Sequence, residues 1–360
     1  MEKNNIKHNG VISFWKFMFT MMIIILHIGQ LVFPKGNYIM RAGSIGVEFF
    51  FIVSGYLLGK KALRLSPIKN CELGKETFNY IFKKIKAFYP FIVIAFLMSL
   101  GVEFIKGNVN GMKLANSILD LFFLNYSGLK YTTFLGISWY ITAMLISMLI
   151  LYPLILKYKD NFTYIIAPII IFFLGGYLLH KYNGRICDPG IWDVFCMKGI
   201  LRAFLELTIG VITYKLSNML SRLDFTKVGK YVLNIIELIG FISIFFIVNK
   251  ENAHNKYDTL MILMLSIAIA IAFSEKTILF RFCNNRLFYT LEKYTLSIYL
   301  NQIWVINLIK YIVNKYQYKM ENYIYYLIII LADIIISIAI YYFINNILVK
   351  LGKFKKILVN

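Results

Sequence analysis

Several ionisable residues sit inside apolar runs of this 360-residue chain, namely His27, Glu48, Glu103, Arg202, Glu206, Glu237 and Asp333. An ionisable side chain in lipid costs roughly 2.5 to 3.5 kcal/mol on insertion scales, so such groups tend to be paired or functional. His27 is the most informative of them. Lys16 precedes it by eleven residues, and at about 100° per residue the two project from one helix face, roughly 16 Å apart along the axis. A cation at one mouth of a span would then stand below an imidazole near mid-membrane. Imidazole suits a general base or a transient acyl carrier because it titrates near neutrality. A snorkelling lysine and a histidine bonded to a neighbouring helix would give the same spacing, and spacing alone favours that plainer account.

The other candidates carry similar alternatives. Glu48 opens the run S-I-G-V-E-F-F-F-I-V-S-G-Y-L-L-G at residues 44–59, where Ser54-Gly55 interrupts bulky side chains; close helix packing explains the small pair equally well. F-K-K-I-K-A-F-Y-P at 82–90 places Lys83, Lys84 and Lys86 at a span boundary, where ammonium groups could hold the phosphates of a nucleotide-bearing donor. Cytoplasmic loops are also basic for topological reasons. Arg202 and Glu206, four apart, read first as an ion pair and second as the wall of a polar cavity. Trp139-Tyr140 could stack on a sugar or simply belong to an interfacial aromatic belt.

The composition says what must position these groups. Hydrophobic residues make up 59% of the chain and charged residues only 16%, which excludes disorder and an ordinary soluble domain. The apolar residues form runs long enough to span a bilayer, near 12–33, 44–60, 86–105, 136–157, 163–180, 198–217, 231–249, 258–274, 289–313 and 323–349. The expected fold is therefore all-α, a polytopic integral membrane protein of about ten transmembrane helices, with residues 1–360 as one domain. Residues 112–126 are apolar but short and carry Asn116 and Asp120, so they read as an interfacial or re-entrant helix.

The net charge of +21 comes from 39 basic against 18 acidic residues. No soluble segment is long enough to gather that charge into a nucleic-acid surface, so no nucleic-acid partner is expected. With the N-terminus inside, about 25 of the basic residues fall on one side, and both termini are expected in the cytoplasm. Cys187 and Cys196 then share an outer loop where a disulfide could persist; spacing leaves their pairing open.

Taken in order, the motifs resemble those of the membrane acyltransferase 3 family of integral membrane O-acyltransferases. That family typically opens with an Arg in an L-R-G setting and a His eleven residues later; F-W-K-F puts Lys16 in the Arg place and His27 in the His place. Its G-V-D-x-F-F-x-x-S-G is matched by Gly46-Val47-Glu48 through Ser54-Gly55, and its R-R-x-x-R-I-x-P is similar to K-K-I-K-A-F-Y-P. Trp139-Tyr140 with Pro153, and Ser297-Ile298-Tyr299-Leu300, follow in register. The chain departs from the pattern at Lys16, at Lys83 and Lys84, at Ala87 and at Asn301, where many relatives have a His.

The resemblance implies a multi-pass cell-membrane enzyme that moves an acyl group, usually acetyl, from cytoplasmic acetyl-CoA to a hydroxyl of an extracellular or lipid-linked glycan, with no metal. It implies His27 and Glu48 as catalytic, Lys16, Lys83, Lys84 and Lys86 as holding the coenzyme, and Ser54, Trp139, Tyr140, Arg202 and Glu206 as lining the acceptor site. A glycan exporter and a catalytically silent partner in surface-glycan assembly are the alternatives; the absence of two related halves counts against the first.

Overall fold

The computed structural model describes residues 9–33, 38–125, 128, 133–186, 188–250 and 253–350. The described residues are helical, with no strand beyond a lone bridge between Trp192 and Met197. The helices are α1 (Gly10–Val32), α2 (Gly46–Arg64), α3 (Leu73–Ile105), α4 (Gly111–Ser117), α5 (Trp139–Asn161), α6 (Ala167–Lys181), α7 (Lys198–Arg222), α8 (Lys227–Ile247), α9 (Ala253–Ser274), α10 (Ile278–Cys283), α11 (Arg286–Lys315) and α12 (Asn322–Lys350).

Capping explains several of the starts. The Asn9 side chain accepts the Val11 and Ile12 N–H groups ahead of α1, and Asn285 does the same for α11 through Leu287 and Phe288. Thr226 caps α8 through Gly229. The break between α5 and α6 is sharp: Lys159 adopts φ 48° and ψ −119°, and a π turn at Phe162–Ile166 follows. That turn aims the Lys159 ammonium at the Ala62 and Leu65 carbonyls, 2.8 Å from each, at the C-terminus of α2. A cation there satisfies carbonyls that the helix itself leaves unpaired.

Among the described residues seven helical segments, rather than ten, are long and apolar enough by themselves to cross a membrane. The difference has two causes. The run from Trp139 to Lys181 is a single 43-residue segment by length, although Lys159 breaks it. Helices α2 and α7 are too polar to qualify: α2 carries Lys60, Lys61 and Arg64 besides Glu48, and α7 carries Lys198 and Lys215 besides Arg202 and Glu206. Glu48, Arg202 and Glu206 are buried against each other instead of facing lipid. Residues 112–126 also differ from expectation. They form only the short α4 and a 3-10 turn, Ile118–Phe122, because buried Asp120 gathers Thr133 Oγ1 at 2.8 Å and the Phe134 N–H at 3.1 Å around itself.

Helices α1, α3, α8 and α11 start at one end of the bundle, called here the basic end; α2, α5, α7, α9 and α12 start at the opposite, far end. The tightest contact is between α2 and α7. A Cβ on Gly55 would fall 2.1 Å from the Leu207 carbonyl, and one on Gly210 would fall 2.3 Å from that of Ile52, so the two backbones touch. Helix α1 packs on α11, and α12 packs against both. Large apolar side chains such as Phe172, Phe173, Phe246 and Ile335 remain on the outside, as a lipid-facing surface requires.

The far-end loop between α6 and α7 is pinned by Asp193, which accepts hydrogen bonds from Tyr177 at 2.5 Å and Tyr182 at 2.8 Å and pairs with Lys181. Burial pushes the Asp193 carboxyl up, but these donors outweigh it and hold the group below the usual carboxylate range. Among the described residues Cys196 in the same loop has no disulfide partner; Cys187, whose pairing with it the spacing leaves open, lies outside them.

Candidate active site

The seam between α1 and α11 holds the two residues that spacing places on one face. Lys16 pairs with Glu292, whose other oxygen accepts the Ser13 hydroxyl at 2.5 Å. Three turns along α1, His27 Nδ1 lies 2.9 Å from Gln302 Oε1. The two helices start at the same end, so a step of eleven residues on α1 meets one of ten on α11.

Gln302 also sets the imidazole's tautomer. Its Nε2 donates to the Tyr299 carbonyl at 2.8 Å, which turns Oε1 toward His27. An amide oxygen only accepts, so Nδ1 carries the proton and Nε2 keeps its lone pair. That is the arrangement a general base needs, with its basic nitrogen held in a defined direction.

Beside the seam lies a cavity of about 250 Å³ between α1, α2, α3, α5 and α11. Lys16, Lys84 and Glu292 line it toward the basic end, and Ser54, Tyr140 and Tyr299 line it deeper. The Ser54 and Tyr140 hydroxyls face one another at 3.5 Å, and the Tyr299 hydroxyl donates to the Ile137 carbonyl at 3.1 Å. The three lysines of the α3 motif part ways here. Lys84 reaches the cavity and lies 5.2 Å from the Tyr80 ring centre, Lys86 lies over Phe82, and Lys83 is exposed. Successive residues on a helix differ by about 100°, so only one of the neighbouring pair can point inward.

The remaining predicted residues form a separate buried group. Arg202 pairs with Glu48 across the α2–α7 contact and with Glu206 at 3.3 Å on its own helix, and it lies 5.5 Å from the Trp139 ring centre. Its Nη2 also donates to the Ser44 carbonyl at 3.4 Å. Glu48 thus meets Arg202 rather than His27, and Trp139 meets Arg202 while its neighbour Tyr140 faces the cavity.

A family model described as an acyltransferase domain matches residues 9–342, from the cap of α1 into α12. The chain belongs to the acyltransferase 3 family. No curated protein and no solved structure matches it. The apolar helices and the family together make it a multi-pass membrane acyltransferase.

Glu292 and Gln302, the partners of the acyltransferase's Lys16 and His27, lie on α11 and were not among the predicted residues; the one signal pointing to them was their ten-residue step, which echoes the eleven from Lys16 to His27. Tyr299 on the same helix belongs to the motif Ser297-Ile298-Tyr299-Leu300. Asn301 turns away from His27. Its amide bonds Ser297 and Ser337, and its oxygen accepts the Trp304 indole at 2.9 Å.

Proposed function

We propose that the protein transfers an acyl group, most simply acetyl, from a coenzyme A thioester at the basic end to a hydroxyl of a surface or lipid-linked glycan, and that the basic end faces the cytoplasm of a cell membrane. The observation that carries this reading is the cavity that joins Lys16 and Lys84 to Ser54, Tyr140 and Tyr299. At about 250 Å³ it falls below the roughly 300 to 1,000 Å³ of common ligand pockets. A whole coenzyme does not fit inside. The nucleotide would stay at the mouth, where Lys84 and the Glu292-paired Lys16 meet its phosphates, and the acyl end would enter. Lysine supplies charge there without the bidentate grip of arginine.

The cavity reaches Tyr299, and the Tyr299 carbonyl is the group that orients Gln302 and through it His27. In the proposed step His27 Nε2 takes the proton of the acceptor hydroxyl as its oxygen attacks the thioester carbonyl. The new C–O bond forms, the C–S bond breaks, and the proton passes to the departing thiolate. Glu48, Arg202 and Glu206 fix the α2–α7 frame from which Ser54 projects, which suits a positioning role better than direct catalysis.

Membranes carrying the protein, incubated with labelled acetyl-CoA and candidate glycans, test the reading. Transfer of label that His27→Ala abolishes supports it, and equal transfer by that variant overturns the assigned chemistry.

A further inference from the structure

A second histidine, outside the α1–α11 seam, is held in a different setting. Ser44 lies in the 3-10 turn Gly43–Ile45 that leads into α2 at the far end. Its Oγ is 2.9 Å from His254 Nε2. One turn further along α9, Asp258 Oδ1 lies 2.8 Å from His254 Nδ1. Asp258 is completely buried, and its second oxygen accepts the Ile186 N–H at 2.9 Å.

This network dictates its own proton positions. A carboxylate only accepts, so His254 Nδ1 carries the proton, Nε2 presents its lone pair, and the Ser44 hydroxyl donates to it. The order is nucleophile, base and orienting acid, each within hydrogen-bond reach of the next. Ser44 and His254 are partly buried, with 13% of the His254 side chain exposed, while Asp258 is sealed in. A strap tying the turn to α9 would need only the Ser44–His254 bond, whereas here a buried acid with its own backbone donor fixes the opposite ring nitrogen. Arg202 Nη2, 3.4 Å from the Ser44 carbonyl, anchors the nucleophile's backbone.

We propose that Ser44, His254 and Asp258 form a serine acyl-transfer site at the far end that takes an acyl ester as substrate. Ser44 Oγ attacks the ester carbonyl while its proton moves to His254 Nε2. The Oγ–C bond forms, the ester C–O bond breaks, and the departing alkoxide takes that proton. A hydroxyl compound, water included, then gives its proton to Nε2 and bonds to the acyl carbon, the Oγ–C bond breaks, and Nε2 returns the proton to Ser44 Oγ. This site needs no coenzyme and does not rest on the reading of the basic-end cavity.

The test uses the full chain in detergent, a fluorophosphonate probe and peptide mass spectrometry. The probe's phosphorus bonds to an activated serine oxygen and fluoride departs. A phosphonyl adduct on Ser44 is expected, with labelling slowed at least about a hundredfold in His254→Gln and Asp258→Asn, the scale of lost base catalysis. Glutamine at 254 can still accept the Ser44 hydrogen bond, so a merely structural strap would leave the labelling rate unchanged. Wild-type protein treated with p-nitrophenyl acetate should also carry an acetyl group on Ser44, a readout that needs no variant to fold. Monodisperse wild-type protein with neither adduct on Ser44, or an unchanged labelling rate in His254→Gln, overturns the proposal.

Discussion

The two histidines that face polar partners differ in the group behind the ring. His27 leans on the neutral amide of Gln302, whereas His254 leans on the buried carboxylate of Asp258. Both partners accept a hydrogen bond from Nδ1–H and leave Nε2 as the basic nitrogen, but only the carboxylate also stabilises the imidazolium that forms when Nε2 takes a proton. A ring backed by an amide suits a proton taken and returned within one step. A ring backed by an acid suits a proton taken and returned twice, once as an acyl-enzyme forms and again as it breaks down. The two proposed acyl-transfer sites thus differ in kind and lie at separate places in the bundle.

The largest expected effect comes from removing the amide-backed ring. His27→Ala should lower coenzyme-dependent transfer by about a hundredfold or more, the scale of lost general-base catalysis, with folding intact in a thermal melt. Retained transfer would break the comparison by removing the seam's chemistry. Arg202→Met should destabilise the protein by about 3 to 5 kcal/mol, because it strands Glu48 and Glu206 in the interior. A lowered unfolding midpoint in detergent would show it, and a variant as stable as the parent would deny the cluster its framing role.

Smaller effects sharpen the contrast. Lys84→Ala should raise the KM for acyl-CoA about tenfold at low salt with kcat little changed, and the difference should shrink as salt screens the mouth. Gln302→Leu should lower kcat about tenfold with KM unchanged, and Gln302→Glu, which offers Nδ1–H another acceptor, should restore part of it. A Gln302→Leu variant with full activity would mean that the amide does not orient the base.

The smallest effect is at the far-end loop. The Asp193 carboxyl is held below its ordinary value in the folded protein, so its stabilisation is present above the unfolded carboxylate pKa of about 3.9 and fades as pH falls through the folded value. Parent and Asp193→Asn should therefore differ in melting midpoint near neutral pH and converge in acid. A gap that stays constant down to strongly acidic pH would remove this electrostatic account.

Much of the architecture was legible in the sequence, because apolar runs and helix periodicity are local. Each expected span falls on a helix, and the eleven-residue step did bring Lys16 and His27 to one neighbour, α11. Partners were not legible. Glu292 and Gln302 lie more than 270 residues from the groups they hold, and nothing local in α11 announces that contact. The lysines of the 82–90 motif are alike in sequence, and only helix rotation separates Lys84 in the cavity from exposed Lys83. The cost of Glu48 in lipid was visible in the sequence, but Arg202, more than 150 residues away, was not visible as its partner. Ser44 and His254 gave no signal, since the triad assembles only when the turn before α2 meets the start of α9.

The backbone contact between α2 and α7 has a mechanical meaning as well. With Gly55 and Gly210 leaving no room for even a methyl group, and an ion pair bolted across the same joint, these two helices can neither slide nor rotate against each other without lifting apart. They act as a stator. Any breathing of the bundle must be carried by the helices around that pair, the α1–α11 seam that holds His27 among them.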